Sequence, residues 1–259
     1  MGTALVTGAA SGLGQGVAER LAEQGWELVL WDLDEAGLEA TERLCAKARC
    51  TRSRVNLADA AEVEAAFEQL VKEGRAPTLI FHAAGVLDVG DLDALTAAAC
   101  RRDMEVNYLG TAHVLLGARK SMTTGGRVLC VSSVAGLKGM PEFAAYCASK
   151  FAVFGLCEAL HGDFARRGIA LSVICPPAVD TPMVQKLGTQ RPALYEVFPF
   201  AKKEDVIRGI VGAIGERDKF LILIDAQSQL LYRVNGLMPR VTSRIMEGLA
   251  EWKRKKVRA

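Results

Sequence analysis

Short apolar runs alternate with helix-length amphipathic stretches almost from end to end, and this alternation constrains the fold more than any single motif. Strand-like runs fall at Ala4–Thr7, Glu27–Trp31, Thr51–Asn56, Thr78–His82, Arg127–Ser132, Ala170–Cys175 and Phe220–Ile224. Helical patterns lie between them at 13–24, 35–47, 60–73, 96–119, 144–166 and 203–216. Each crossover is long enough for a helix, so the strands can run parallel with right-handed connections. The expected architecture is α/β: a single doubly wound domain, with a parallel seven-stranded sheet and helices on both faces. No repeat, low-complexity tract or Pro/Gly-rich linker divides the chain. Residues 1–225 form the body, and 226–259 a helical extension with a basic tail.

Half of the 259 residues are hydrophobic and the net charge is only +2, which excludes a disordered chain and a nucleic-acid binder driven by net charge. The seven cysteines (45, 50, 100, 130, 147, 157 and 175) form no Cys-x-x-Cys pair, and several sit in apolar stretches, as reduced thiols would. Neither a disulfide framework nor a metal site is expected. No apolar run has the length of a membrane span, and Thr3-Ala4-Leu5-Val6 runs straight into a glycine turn where a signal peptide would be. The expected location is the cytoplasm.

Thr7-Gly8-Ala9-Ala10-Ser11-Gly12-Leu13-Gly14 follows the first strand and opens the first helix. Glycines there permit a tight turn and let backbone N–H groups approach a pyrophosphate at a helix N-terminus, where the dipole favours negative charge. The second strand ends in Asp32, eighteen residues after Gly14, where a carboxylate can accept hydrogen bonds from ribose hydroxyls. That carboxylate would repel a 2′-phosphate, and Leu33 rather than Arg follows it, so NAD(H) is expected over NADP(H). Asp34 could equally cap the next helix.

Tyr146 and Lys150 lie four residues apart and share a helix face. An ammonium beside a phenol, which ordinarily titrates near ~10, can lower its pKa and make it a usable proton donor or acceptor. Ser133 adds a hydroxyl thirteen residues upstream.

With these residues in hand, the chain resembles a classical short-chain dehydrogenase/reductase over its first 225 residues, a family with a Rossmann-type fold. The glycine segment has the Thr-Gly-x-x-x-Gly-x-Gly form, and His82-Ala83-Ala84-Gly85, Asn107, Ser133, Tyr146, Lys150 and Pro176-Pro177-Ala178-Val179-Asp180-Thr181 follow in the family's order. The resemblance implies catalysis by Asn107, Ser133, Tyr146 and Lys150. Tyr146 would be the general acid or base, Lys150 would hold the nicotinamide ribose and depress the Tyr146 pKa, Ser133 would bond the substrate oxygen, and Asn107 would fix a water linking Lys150 to solvent. It further implies cofactor contacts at Ala83, Ala84, Gly85, Pro176, Val179 and Thr181, and at Asn56 and Leu57 around the adenine. Three positions depart from the family pattern: His82 stands where Asn is frequent, Asn56 where Asp is common, and Pro177 where Gly is usual. His82 is expected to make a strand-end backbone contact.

Segments 104–118 and 144–166 are apolar on nearly every face and need cover on two sides. A homo-oligomer, a dimer or tetramer joined through helices 96–119 and 144–166, is therefore expected. Residues 178–200 follow the sixth strand as a lid rich in Met, Leu, Val, Tyr and Phe, which points to a small apolar alcohol or ketone as substrate. Met183, Leu137 and Met140 are candidate pocket residues beside Ser133 and Tyr146.

In the extension, Leu230, Val234, Leu237, Val241, Ile245, Leu249 and Trp252 form a helical stripe interrupted by Pro239, and basic residues 253–258 follow. The stripe is expected to cover the active site or to pack on a neighbouring subunit, with the basic charges solvated. Peripheral contact with an anionic membrane is the alternative. Two other function classes stay open: an NAD(H)-sensing regulator without turnover, and a membrane-associated interaction protein. The aligned proton relay favours the enzyme.

Overall fold

Seven parallel strands pair in the order β3-β2-β1-β4-β5-β6-β7 in the computed structural model, which describes residues 2–188, 191–192 and 194–258. They are β1 (Thr3–Thr7), β2 (Glu27–Asp32), β3 (Cys50–Arg54), β4 (Leu79–His82), β5 (Arg127–Val131), β6 (Ala170–Ile174) and β7 (Leu221–Ile222). Period-two alternation sorts each strand between two cores. Ala4, Val6, Leu28, Leu30, Leu79 and Phe81 face one side, and Leu5, Val29, Trp31 and Ile80 the other.

The first core is closed by α1 (Gly12–Glu23), α2 (Glu35–Leu44) and α9 (Lys203–Gly212) through Val17, Leu21, Leu38, Val206 and Ile210. The second is closed by α3 (Ala60–Lys72), α5 (Gly110–Ser121) and α6 (Ala144–Arg166) through Val63, Phe67, Val114, Leu115, Val153 and Cys157. Each such side chain, fully buried, contributes on the order of 1.5–3 kcal/mol. The parallel doubly wound sheet expected from the alternation is the one observed. Strand order reverses between β1 and β4, and in such sheets ligands bind beyond the carboxyl ends of the strands at that point.

The elements differ from the sequence pattern where tertiary contacts intervene. Segment 96–119 divides into α4 (Ala97–Asp103), a π-helical turn (Met104–Leu109) and α5. The last strand shrinks to two residues because it pairs only with Val173 and Ile174. The extension is two helices, α10 (Ala226–Leu237) and α11 (Pro239–Arg258), because Pro239 cannot continue the first. The lid carries two short helices, α7 (Pro182–Gln185) and α8 (Leu194–Val197). Residues 189, 190 and 193 of the lid lie outside the described residues, as do Ala259 and the side chains of the basic run 253–258. On the face of α5 and α6 away from the sheet, Leu116 and Phe151 are exposed.

Candidate active site

A cleft of about 1010 Å³ opens at the carboxyl ends of the strands. Gly8, Ser11, Gly12, Leu13, Gly14, Asp32, Asn56, Leu57, Ala83, Ala84, Gly85, Ser133, Met140, Tyr146, Lys150, Pro176, Val179, Thr181 and Met183 all line it. Asn107 and Leu137 do not.

At one end the glycine turn leads from β1 into α1. Gly8 is in the left-handed region (φ 67°), and a Cβ on it would stand 2.6 Å from the Ala84 amide nitrogen, so the β1 and β4 turns touch only because it is glycine. Side chains cap α2, α3, α4 and α10: Asp34, Asp59, Thr96 and Asp225 accept from their first-turn N–H groups. No side chain caps α1 at Ser11, so its first N–H groups remain open to an anion in the cleft.

Because Asp34 caps α2, Asp32 is left to other partners. Asp32 Oδ2 accepts from the Ala10 N–H (3.0 Å) and Oδ1 from the N–H groups of Leu33 (2.7 Å) and Asp34 (3.1 Å), fixing the carboxylate at the cleft edge. Asn56 Oδ1 already accepts from the Ala58 N–H at 3.1 Å, while leaving one lone pair for a ligand.

Toward the middle of the cleft, α6 is fastened to the end of β5. Lys150 Nζ donates to the Val131 carbonyl (3.2 Å) and Ser132 Oγ donates to the Lys150 carbonyl (2.8 Å). A Cβ on Gly136 would lie 2.4 Å from Ser132 Oγ and 2.6 Å from the Lys150 oxygen, so a glycine is needed for this approach. Ser133 Oγ accepts from the Ala135 N–H (3.1 Å) and lines the cleft together with Tyr146.

Lys150 Nζ lies 5.7 Å from the Tyr146 ring centroid. The expected depression of the phenol is not the net effect here. Burial pushes Tyr146 well above its ordinary value, Tyr195 adds to this, and the Ser133 hydroxyl opposes it. Burial also lowers the Lys150 ammonium to about 8. Desolvation therefore outweighs the mutual effect of the pair, and the phenol keeps its proton.

His82 makes no backbone contact of the kind expected. Its ring, fully buried, bridges two hydroxyls: Nδ1 to Thr7 Oγ1 (2.7 Å) and Nε2 to Thr111 Oγ1 (2.9 Å). Thr111 Oγ1 donates to the Asn107 carbonyl (2.6 Å), so it accepts from His82 Nε2–H, and Nδ1 accepts from Thr7. Burial, followed by the Lys150 charge, lowers this imidazole to about 3 and keeps it neutral. Through Thr111, His82 thus supports Asn107 in the π-helical turn, a feature frequent at functional sites. The Asn107 amide secures the turn after β4: Oδ1 accepts from the Val86 N–H (2.8 Å), and Nδ2 donates to the Val86 carbonyl (3.0 Å) and Ser149 Oγ (2.8 Å).

Beyond Tyr146 the cleft turns apolar. Phe143 packs edge-on against Tyr195 at 5.2 Å, Tyr195 meets Phe200 at 5.1 Å, and Leu87, Met140, Met183 and Val184 complete the cluster. Leu137, expected in the pocket, packs into the core beneath the sheet instead. Leu230, Val234 and Ile245 of the C-terminal stripe reach the lining, as a stripe covering the site would, whereas Phe143, Leu87, Leu231 and Met246 were not anticipated there. No local motif marks them, because they arrive from distant segments.

A carboxyl pair lies on the same side. Asp103 is fully buried at the end of α4, accepts from the Asp88 N–H (3.4 Å) and leaves Oδ1 without a hydrogen bond. Arg102 pairs with Asp88 instead (2.9 Å). Burial, then the Asp88 charge, raises Asp103 from 3.8 to about 7. Sequence reading missed it, because Arg-Arg-Asp at a helix end looks like a solvated turn.

The family model described as short chain dehydrogenase matches residues 2–192. Short-chain dehydrogenase/reductase family 16C member 6 of Bos taurus is 31% identical over 227 residues, covering 85% of this chain and 71% of the relative. Human 17-beta-hydroxysteroid dehydrogenase 13 is 27% identical over 249 residues (93% and 81% covered), and human epidermal retinol dehydrogenase 2 is 30% identical over 228 (85% and 72%). Among solved structures, a short chain dehydrogenase/reductase from Burkholderia phymatum in complex with NAD superposes with a TM-score of 0.80 at 29% identity, covering 93% of this chain and 95% of that one. Levodione reductase superposes at 0.79 with 27% identity, covering 88% and 98%.

Asp103 sets a pH dependence of stability. The folded chain retains a proton that the unfolded chain releases between pH 3.8 and about 7, so the contribution of this group falls as pH rises through that window and is flat above it. Asp103→Asn is expected to remove this decline and to melt ~2–4 °C above the parent at alkaline pH. Thermal melts across the range check this; a variant with the parent's slope contradicts it.

Proposed function

The chain belongs to the short chain dehydrogenase family, and on that premise we propose that it is an NAD(H)-dependent oxidoreductase interconverting an apolar secondary alcohol and its ketone, with Tyr146 as the proton-transfer group. The observation that carries this reading is the placement of Ser133, Tyr146 and Lys150 midway along one cleft, between an uncapped glycine-turn helix with Asp32 and an apolar aromatic wall.

The dinucleotide would be held by the glycine turn and the α1 N-terminus at its pyrophosphate, by Asp32 at its ribose, by Asn56 and Leu57 around the adenine, and by Lys150, Pro176, Val179 and Thr181 at the nicotinamide end. When bound, it supplies the hydride that no side chain can. The remaining steps belong to the protein. A ketone oxygen lying between Ser133 and Tyr146 would take the Tyr146 proton, and Ser133 would donate a hydrogen bond to the same oxygen. Burial keeps Tyr146 protonated in the isolated chain, so it starts in the acid form that reduction requires. Lys150 returns the proton, with the turn held by Asn107 as its route toward solvent. Oxidation runs the same steps in reverse.

Support for an apolar substrate comes from the wall of Phe143 and Tyr195, the latter backed by Phe200, and from relatives named for a hydroxysteroid and for retinol. Asp32, with the apolar Leu33 beside it, supports NAD(H). Seven free thiols suit a reducing compartment, in this proposal the cytoplasm. The uncovered Leu116 and Phe151 support pairing with a second copy through α5 and α6.

Tyr146→Phe is expected to reduce turnover by ~10²–10⁴-fold with NADH binding little changed, as read by absorbance assays and fluorescence titration. Retained turnover would refute the Tyr146 role. Asp32→Ala is expected to narrow the preference for NAD over NADP; an unchanged ratio of kcat/KM values argues against the assignment. Sedimentation at micromolar concentration should give a species heavier than the 27.8 kDa chain, whereas a monomer would sink the paired-helix proposal.

A further inference from the structure

The apolar stripe of the C-terminal extension closes onto the domain only in part: Val234 and Leu249 are half-buried, and Leu249 packs beside Leu194. The two helices are held by a different face: Ser228, Thr242, Met246 and Ala250 are buried, and Met246 and Ala250 pack with Leu194. Asn235 Nδ2 donates to the Leu137 carbonyl (3.2 Å), and Lys138 Nζ donates to Ser243 Oγ (2.6 Å). Left exposed are Leu230, Leu237, Met238, Val241 and Ile245, each between 45% and 83% exposed. On α10 the stripe recurs as 230, 234, 237 and on α11 as 241, 245, 252, one face of each helix. Leu230, Val234 and Ile245 also line the cleft, so the stripe runs into its mouth. Scattered exposed apolar side chains are ordinary, but a contiguous run at a ligand entrance marks an interaction surface.

We propose that this face docks on an anionic lipid surface, with the mouth of the cleft turned toward the acyl chains. Charge selects this occupant over a second copy. Residues 226–259 carry eight Lys and Arg against two Glu, while the whole chain is only +2. A symmetric pairing of this face would set that positive segment against itself, whereas an anionic surface complements it. Arg240, Arg244 and Glu247 line a shallow hollow on α11 beside the stripe, where two guanidinium groups outnumber one carboxylate and so favour a lipid phosphate. α11 is strongly amphipathic yet polar on average, and no helix among the described residues is long and apolar enough to cross a membrane. This is the character of a helix that lies in the interface plane. Docking stands on these observations alone; that it delivers apolar substrate to the cleft rests on the proposed function.

The test needs no turnover, so its failure is separate from failure of the catalytic reading. The full chain is sedimented with phosphatidylcholine vesicles containing about 30% phosphatidylserine, and with pure phosphatidylcholine vesicles. It is expected to pellet with the anionic vesicles, to remain in solution with the neutral ones, and to be released by salt. The double variants Leu237→Glu/Val241→Glu and Arg240→Glu/Arg244→Glu, on exposed positions outside the cleft lining, should each lose ~10-fold or more in binding. Unchanged melting temperatures and NADH binding identify them as folded. A parent chain that stays in the supernatant with anionic vesicles overturns the proposal, as does pelleting that neither variant weakens. A Leu237→Glu/Val241→Glu variant that changes oligomeric state while still binding vesicles assigns the face to a second copy and overturns it too.

Discussion

The position of β1 between β2 and β4 is the constraint on which the rest of the site depends. Parallel pairing on both of its edges sends the crossovers in opposite directions and leaves a gap where they part. The glycine turn after β1, Asp32 at the end of β2, the Ala83–Gly85 turn after β4 and Ser133 after β5 all open onto that gap. The contact that closes it is local: Gly8 lies against the Ala84 backbone at a distance no side chain would allow. Two turns far apart in sequence thus meet along one cleft wall.

Within the cleft, desolvation and charge compete, and desolvation wins. Lys150 spends its ammonium on the Val131 carbonyl, and the buried Tyr146 holds its proton more firmly than a free phenol would. The spacing of the pair therefore predicts the right neighbours but the wrong sign for the phenol's shift in the isolated chain. His82, Thr111 and Asn107 show the same logic in neutral form. A buried polar line persists because every donor in it has an acceptor, and it fixes the π-helical turn behind the site.

The sheet and the residues along the cleft were legible in the sequence because they follow short-range rules. Alternation of strand and helix periods, the glycine turn and the carboxylate at the end of β2 are all read within a few residues. What was not legible came from long-range contact. Leu137 lies between Ser133 and Tyr146 in sequence yet turns into the core, whereas Phe143 and Leu87 reach the cleft without any motif. The extension shows the limit most clearly. Its periodic apolar stripe looks like a packing face, but Thr242, Met246 and Ala250 are the buried positions, and of the stripe only Val234 and Leu249 are half-buried while Leu237, Val241 and Ile245 stay exposed. Periodicity identifies a helical face and cannot say which of two apolar arcs meets the domain.

The most direct measurement is the fate of deuterium placed on the hydride-donating carbon of NADH, followed by mass spectrometry of the alcohol formed from a panel of apolar ketones. The parent chain is expected to deliver one deuterium to the carbinol carbon, and Tyr146→Phe, at equal NADH saturation, to deliver none above background. Undiminished label in the alcohol made by Tyr146→Phe, or no label from the parent across the panel, would contradict hydride transfer gated by Tyr146 in this cleft.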